Sequence, residues 1–543
     1  MQFTPQNLDW IAALQTWLQV VLVVALTGFV LGGLLAARAR GSVVEGFSSA
    51  IDCSVGLFSE VVSLSLRRVW AITWHCMLES LRRRMLLAVL AVFVVLFLFA
   101  GWYLPSRPTE QVRVYVSFVL MSSTLIAMVA SGLLACLGLP SDIKDQTIHT
   151  VVTKPVRRLE IVAGRALGLT ILASAILVVM GLVSYVYLTR SVGGTISQLQ
   201  QELAAAEQRG DVQHKDRLQD DIDQIRSRLT ARVPVYSDSL EGANTNVGTE
   251  TTYRKYIEGN RTAAAIWHFT GLPVEQLKRS GRIPLEMTFT VFRTTKGEIG
   301  RGVLAQLTFR NPKTKYAVVQ YPFEVREYYT NRRQLEAGAE ANLEQLFADS
   351  GGALDVEVRC LSPSQYLGMA HADLYILLDE ASFGLNFAKG IVGVWIRVVL
   401  IICVAVMFST FLNSYVAMLA TVAVFIGGVS MPLLSDIASG KAAGGGPLEA
   451  VHRLVTQNNL QTPLDRDVWT STLHAADKGL QAVLSGLTYV LPNLRTFNTA
   501  PLVAHGFDIG AGVLLTNMVM ALGYVVPFIL VGYFLFISRE IAR

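Results

Sequence analysis

Residues 391–412 read IVGVWIRVVLIICVAVMFSTFL, twenty-two positions with one charge, Arg397. A helix of that length rises about 33 Å at 1.5 Å per residue, enough for a hydrocarbon core of roughly 30 Å. A helix at a soluble surface would carry a polar face, so the stretch reads as a membrane span. Composition agrees. Of 543 residues, 52% are hydrophobic and 16% charged, and mean hydropathy is +0.44. Soluble domains carry about 25% charged residues, and disorder needs low hydrophobicity with high charge, so both classes are excluded. The net charge is only +5, and many Lys and Arg flank apolar runs rather than forming the basic face that nucleic-acid binding needs. Cys53, Cys76, Cys136, Cys360 and Cys403 form no CxxC pair and no cluster with His. Neither a zinc site nor a disulfide framework is indicated.

Working outward, seven stretches qualify as spans: 17–37, 85–104, 112–139, 164–188, 391–412, 415–434 and 511–537. Long polar segments follow the fourth and sixth. The first sixteen residues hold no Lys or Arg, whereas Arg38, Arg40, Arg67, Arg68, Arg82, Arg83 and Arg84 fill the connection after the first span. Lys144, Lys154, Arg157, Arg158 and Arg165 border the connection between the third and fourth, and Arg539 and Arg543 follow the last. The positive-inside rule puts these groups in the cytoplasm, so the N-terminus and both long segments lie outside and the C-terminus inside. The Ala36-Ala37-Arg38-Ala39 stretch loosely resembles a signal-peptide cleavage site, but the segment before it has no positive n-region. The first stretch is therefore read as a retained span.

Two cytoplasmic segments carry the functional signal. Val62, Leu66, Val69, Trp70, Trp74, Met77 and Leu81 recur at helical spacing, with Arg68, His75, Glu79 and Arg82 on the other side. This predicts an amphipathic helix with Trp at the headgroup level. Its role is that of an anchor, or of a helix that also forms a docking surface. After the third span the chain leaves the membrane at Pro140 and carries a short segment with Ile148, Val151 and Val152, broken by Pro155. It re-enters after Gly164-Arg165. A short helix of that kind, bordered by charges, is what a membrane domain offers to a soluble machine beneath it.

The order Asp145, Thr147-Ile148, Pro155, Arg157-Arg158, Glu160, Gly164-Arg165 resembles the coupling loop of the ABC-2 family of exporter permeases, departing at Gln146. The amphipathic elbow before residue 85, the six spans that follow, and the 489–497 stretch YVLPNLRTF between the last two spans resemble that family as well. The resemblance covers residues 65–190 and 390–543. It implies a non-enzymatic transmembrane subunit that meets a separate ABC ATPase through Asp145, Thr147, Ile148, Val151, Pro155, Arg157, Arg158, Glu160, Gly164 and Arg165. Arg68, Trp70, Trp74, Glu79 and Arg82 of the elbow would assist. It further implies a homodimer, or a heterodimer with a related permease, in a bacterial inner membrane, with ATP and Mg on the partner. This chain has no P-loop of its own: at Gly440-Lys441, Ser435 holds the first glycine position and Ala442 follows the lysine.

Outside the membrane, Ile196, Leu199 and Leu203, then Leu218, Ile222, Ile225 and Leu229, predict a helical hairpin turning at Gly210-Asp211, with Gly194 as hinge. Alternation at 283–291, 303–309, 316–325, 354–360 and 374–378 predicts an antiparallel β-sandwich, interrupted by a helix over 331–347. His371, Asp373, Asp379 and Glu380 are too few to build a metal site and read as turn or surface groups. Cys360 reads as a buried thiol. Arg397 lies seven residues into its span, so it snorkels or lines the substrate route. Pro527 kinks the last span.

The expected plan is an α-helical polytopic membrane protein of about seven spans, a six-helix core plus one N-terminal helix, with a large external α+β domain. Its parts are the N-terminal span (1–40), the elbow region (41–84), three spans with coupling loop 140–163 (85–190), hairpin (191–232) and sandwich (233–388). Two spans (389–435), an external loop with short helices (436–510) and the last span (511–543) complete it. The external domain would receive substrate or an envelope partner; the alternative to an exporter is a non-transporting membrane scaffold or a mechanotransmitting subunit whose external domain binds an envelope partner.

Overall fold

The computed structural model describes residues 11, 14–15, 17–19, 21–22, 44, 56, 63–82, 85–98, 108–144, 156–242, 254–259, 262–293, 303–325, 330–338, 342–363, 365–442, 444–459 and 468–537. Its helices begin with α1 (Leu66–Arg82), α2 (Met85–Leu98), α3 (Gln111–Lys144), α4 (Arg158–Arg209) and α5 (Val212–Arg228). The strands are β1 (Thr230–Tyr236), β2 (Ser239–Glu241), β3 (Lys255–Glu258), β4 (Ala264–Phe269), β5 (Arg282–Met287), β6 (Thr290–Arg293) and β7 (Val303–Arg310). They continue as β8 (Ala317–Val319), β9 (Phe323–Val325), β10 (Asn331–Glu336), β11 (Leu354–Cys360), β12 (Gln365–Met369) and β13 (Leu374–Ser382). Among them sit α6 (Val274–Ser280) and α7 (Leu343–Leu346). The chain ends in α8 (Phe383–Ser409), α9 (Ser414–Val429), α10 (Met431–Ala438), α11 (Pro447–Thr456), α12 (Val468–Val490), α13 (Ala500–Ala504) and α14 (Ala511–Ile537).

Two compact units emerge, a helical one and a β one built from residues 202–383 with 506–508. In the helical unit, α3, α4, α8 and α14 are long and apolar enough to cross a membrane. The expected seven spans thus become, among the described residues, four, or five if α9 and α10 form one. Most of the first expected span lies outside the described residues, and α2 accounts for fourteen residues of the second. The sixth is broken: α9 and α10 meet at 72° around Ser430. Pro432 explains the break, since it has no N–H for the carbonyl of Gly428 and its ring would clash with it. That carbonyl accepts the N–H of Leu494 at 3.1 Å instead. Pro140, expected at the membrane exit, lies inside α3, which runs on to Lys144.

The hairpin exists, but its first arm is the end of a span. α4 runs unbroken through Gly194, so the expected hinge is absent; the turn falls at Gly210, where φ is +69°. Asp211 caps α5 by accepting the N–H of His214 at 3.1 Å, and Lys215 pairs with Glu207 across the turn at 2.7 Å.

Three antiparallel sheets form the β unit: β1-β13-β5-β10, β2-β4-β11-β7-β8 with β9 also on β7, and β3-β12-β6. Their inward residues share one core, with Trp267, Leu285, Met287, Phe289, Leu307, Phe309, Val356 and Val358 fully shielded. The expected strand 283–291 splits into β5 and β6, which join different sheets, and 316–325 splits into β8 and β9. The helix expected over 331–347 is corrected to strand β10 and the single turn α7. Pairing decides it: β10 joins β5 from Asn331↔Met287 to Glu336↔Arg282 and buries Leu335, overriding local helix preference. Cys360 is buried in β11, and Asp373 accepts the Ala370 N–H at 2.8 Å in a turn. Beneath the first sheet, buried Arg232 of β1 meets Glu286 of β5 at 2.5 Å, and Tyr375 of β13 donates to the same carboxylate at 2.9 Å. The 506–508 segment edges this sheet: Arg232 N–H donates to Gly506 O at 2.9 Å and Asp508 N–H to Arg232 O at 2.8 Å.

Candidate functional site

The charged end of the expected coupling loop folds into a junction of three helix termini. Glu160, three residues after Arg157, accepts the Arg157 N–H at 3.0 Å, half of a capping box at the start of α4. Its other oxygen accepts the Ser65 N–H at 3.0 Å, just before α1, and the Arg68 Nε at 3.0 Å. One fully buried carboxylate therefore serves the N-termini of two helices, where the macrodipole favours negative charge. Next to it, Arg158 Nη1 donates to Phe536 O at 3.2 Å and Ile537 O at 2.8 Å. These are orphan carbonyls at the end of α14, where a cation is favoured. Arg157 reaches Ser63.

One turn on, Gly164 and Gly168 form a groove for α1. A Cβ on Gly164 would lie 2.8 Å from Ile72 Cβ, and one on Gly168 2.8 Å from Thr73 O and 3.1 Å from Cys76 Cβ. The bare backbone lets Thr73 Oγ1 donate to Gly164 O at 3.1 Å. This is the small-xxx-small packing of membrane helices. Arg165 pairs with Asp142 near the end of α3, bracketing the loop from both sides.

On α1 these contacts fall on a stripe between the two expected faces. The packed stripe is Val69, Thr73, Cys76 and Ser80. Leu66, Trp70, Trp74 and Leu81 point outward, with Trp70 59% exposed. Arg68, placed on the polar side by its sequence position, turns in to Glu160. Glu79 is half-buried and Arg82 exposed. Asp145, Thr147, Ile148, Val151 and Pro155 lie outside the described residues.

No protein-family profile, curated protein or solved structure matches the chain. The site therefore stands on its own geometry.

Arg397 sits nearer the middle of its helix than its sequence position implied. Because α8 starts at Phe383, eight residues before 391, Arg397 is fourteen residues from one end and twelve from the other. At 1.5 Å per residue those are about 21 and 18 Å. Its Nη2 donates to Thr124 Oγ1 of α3 at 3.0 Å, and Thr124 donates in turn to Leu120 O at 2.6 Å. Trp395 Nε1 donates to Ser174 Oγ of α4 at 2.7 Å. Both side chains thus act as polar ties between helices, and the Arg397 Nε is buried without a partner among the described residues.

Sequence reasoning named Arg157, Arg158, Glu160, Gly164, Arg165 and Arg68, which the fold brings together. It missed Ser65, Asp142 and the α14 carbonyls. Gly168 carried a visible signal, its four-residue spacing from Gly164. Backbone carbonyls and N–H groups carry none, because every residue but proline has both.

Proposed function

We propose that this chain is the membrane subunit of an ATP-driven ABC-2 type exporter, coupled to an ATPase on a separate polypeptide and working as a homodimer or heterodimer. The observation that carries the reading is the junction beside residues 145–155. Arg158 and Glu160 tie the start of α4 to the start of α1 and the end of α14. A load applied to that loop therefore reaches three helices at once, as a conformational switch driven by a partner requires. The loop residues Asp145, Thr147, Ile148, Val151 and Pro155 would meet the ATPase; Arg397 would line the route between membrane domains. ATP and Mg belong to the partner, and the β unit would take substrate or an envelope component.

A second reading, a mechanotransmitting subunit without a transported substrate, is favoured by α4. Its 52 residues run from Arg158 to Arg209, a rod of about 78 Å. Such a rod would carry a displacement of the junction to the hairpin turn at Gly210.

Purification in mild detergent tests both readings, which predict a co-purifying P-loop ATPase. Pro155→Ala and Arg157→Glu should release it. The coupled readings fail if no ATPase is retained, or if protease mapping puts residues 145–155 on the same side of the bilayer as the β unit. Transport by the reconstituted complex separates exporter from mechanotransmitter.

A further inference from the structure

Helix α11 carries its polarity inside out, and α12 beside it exposes a long apolar stripe. On α11 the charged residues are the buried ones, Glu449 at 7% exposure and Arg453 at 6%. The outward residues are Leu448, Val451, Leu454 and Val455, the last two 79% and 77% exposed. On α12, Asp477 is buried at 3%, and Trp469, Leu480, Val483, Leu487 and Val490 are exposed along one face, with His474 and Lys478 exposed on another.

The buried charges answer one another. Arg453 donates to Glu449 Oε1 through Nε at 3.0 Å and Nη2 at 2.7 Å, and its Nη1 donates to Asn459 O at 2.7 Å. Asp477 accepts the N–H groups of Leu448 and Glu449 at 2.8 and 2.9 Å, capping the start of α11. His474 lies 3.4 Å from Glu449 Oε2.

At about 100° per residue, Trp469, Ala476, Leu480, Val483, Leu487 and Val490 fall on one face of α12. Asp477 and Thr470 occupy a second, packed face, and Lys478 points almost opposite the apolar stripe. In water an amphipathic helix turns its apolar face to the core and its charges out. The reverse arrangement fits hydrocarbon, where polar groups must be satisfied internally and apolar side chains meet acyl tails. The surroundings agree: α12 packs on α10, which continues from α9, and α9 exposes Leu419, Val422 and Ile426.

We propose that α11 and α12 lie within the bilayer's apolar region, with the stripes of Leu448/Val451/Val455 and Leu480/Val483/Leu487 against lipid acyl chains and Lys478 toward water. The bilayer replaces the watery surroundings expected for an external loop over 436–510. The inference does not depend on whether an ATPase binds.

Nitroxide labels on Leu454→Cys, Val483→Cys and Lys478→Cys test it, in the full chain reconstituted into phosphatidylcholine vesicles. Cys53→Ser is the common background; Cys76, Cys136, Cys360 and Cys403 are buried. Val451→Cys replaces Leu454→Cys if that variant does not elute as a single species. The expected result is a several-fold higher ratio of collisions with oxygen to collisions with a water-soluble nickel chelate at 454 and 483 than at 478. Equal ratios at all three sites overturn the proposal by placing the stripes in water. Shielding of 454 and 483 from both reagents also overturns it, by seating a second copy or another protein there.

Discussion

Glu160 and Arg68, ninety-two positions apart in sequence, meet at 2.9 Å with the carboxylate fully buried and the guanidinium side chain 36% exposed. The pair ties the start of α1 to the start of α4. Its geometry gives the first test.

Glu160→Ala leaves the N–H groups of Ser65 and Arg157 without this acceptor and strands Arg68. Removing one partner of a buried pair costs about 3–5 kcal/mol, but water recovers part of that at a partly exposed arginine. A loss of about 2 kcal/mol is expected, seen as a lower thermal midpoint in detergent. Arg68→Ala combined with Glu160→Ala should cost less than the sum of the single changes. Strict additivity would dissolve the pair.

Two glycines of α4 should respond with opposite sign. At Gly168 a side chain meets the backbone oxygen of Thr73, so Gly168→Val overpacks the groove and costs about 1–3 kcal/mol. Gly194 has open space around it, and Gly194→Ala should stabilise the helix by about 0.5–1 kcal/mol. Destabilisation by Gly194→Ala would revive the hinge that the unbroken helix excludes.

Arg158→Ala should fray the end of α14. The carbonyls of Phe536 and Ile537 lose their donor, a change worth about 1 kcal/mol at a helix C-terminus. Hydrogen exchange over residues 530–537 should quicken, and Arg158→Lys should restore part of the protection. Unchanged exchange would mean the cap is not formed in the membrane.

The β unit should weaken in alkali. Burial pushes the Cys360 thiol from 9.0 up to about 11. Burial, then the Glu286 charge, pushes the Tyr236 phenol from 10.0 up to about 12. Tyr375 is raised well above 10.0 for the same two reasons and by its bond to Glu286. Each raised acid is neutral in the folded state, so its stabilisation is complete below pH 9 and is lost as pH climbs through its folded-state pKa, about 11 for Cys360 and about 12 for Tyr236. Near-ultraviolet circular dichroism against pH should show tertiary signal falling together with tyrosinate formation. Ionisation near pH 10 with the signal intact would place these side chains in water.

Much of the fold was legible because its signals are local. Period-two alternation found β7 and β11, and helical spacing found α1 and both arms of the hairpin. The misreadings have nonlocal causes. Residues 331–336 became a strand because β5 offered an edge. The 415–434 stretch broke at Ser430 because Leu494, sixty-six positions from Gly428, takes over the carbonyl that Pro432 leaves free. The partner of Arg68 went unseen because Glu160 arrives from α4.

From sequence alone came the apolar character of α3, α4, α8 and α14, the positions of many strands and the candidate residues 157–165, since hydrophobic runs and periodicity are written in consecutive residues. Only the tertiary structure decided that Arg158 and Glu160 bind the ends of three helices, that Arg397 lies mid-helix against Thr124, and that Glu449, Arg453 and Asp477 are buried. The reason is physical: burial of a charge depends on whether a distant segment brings it a partner, and composition does not encode that meeting.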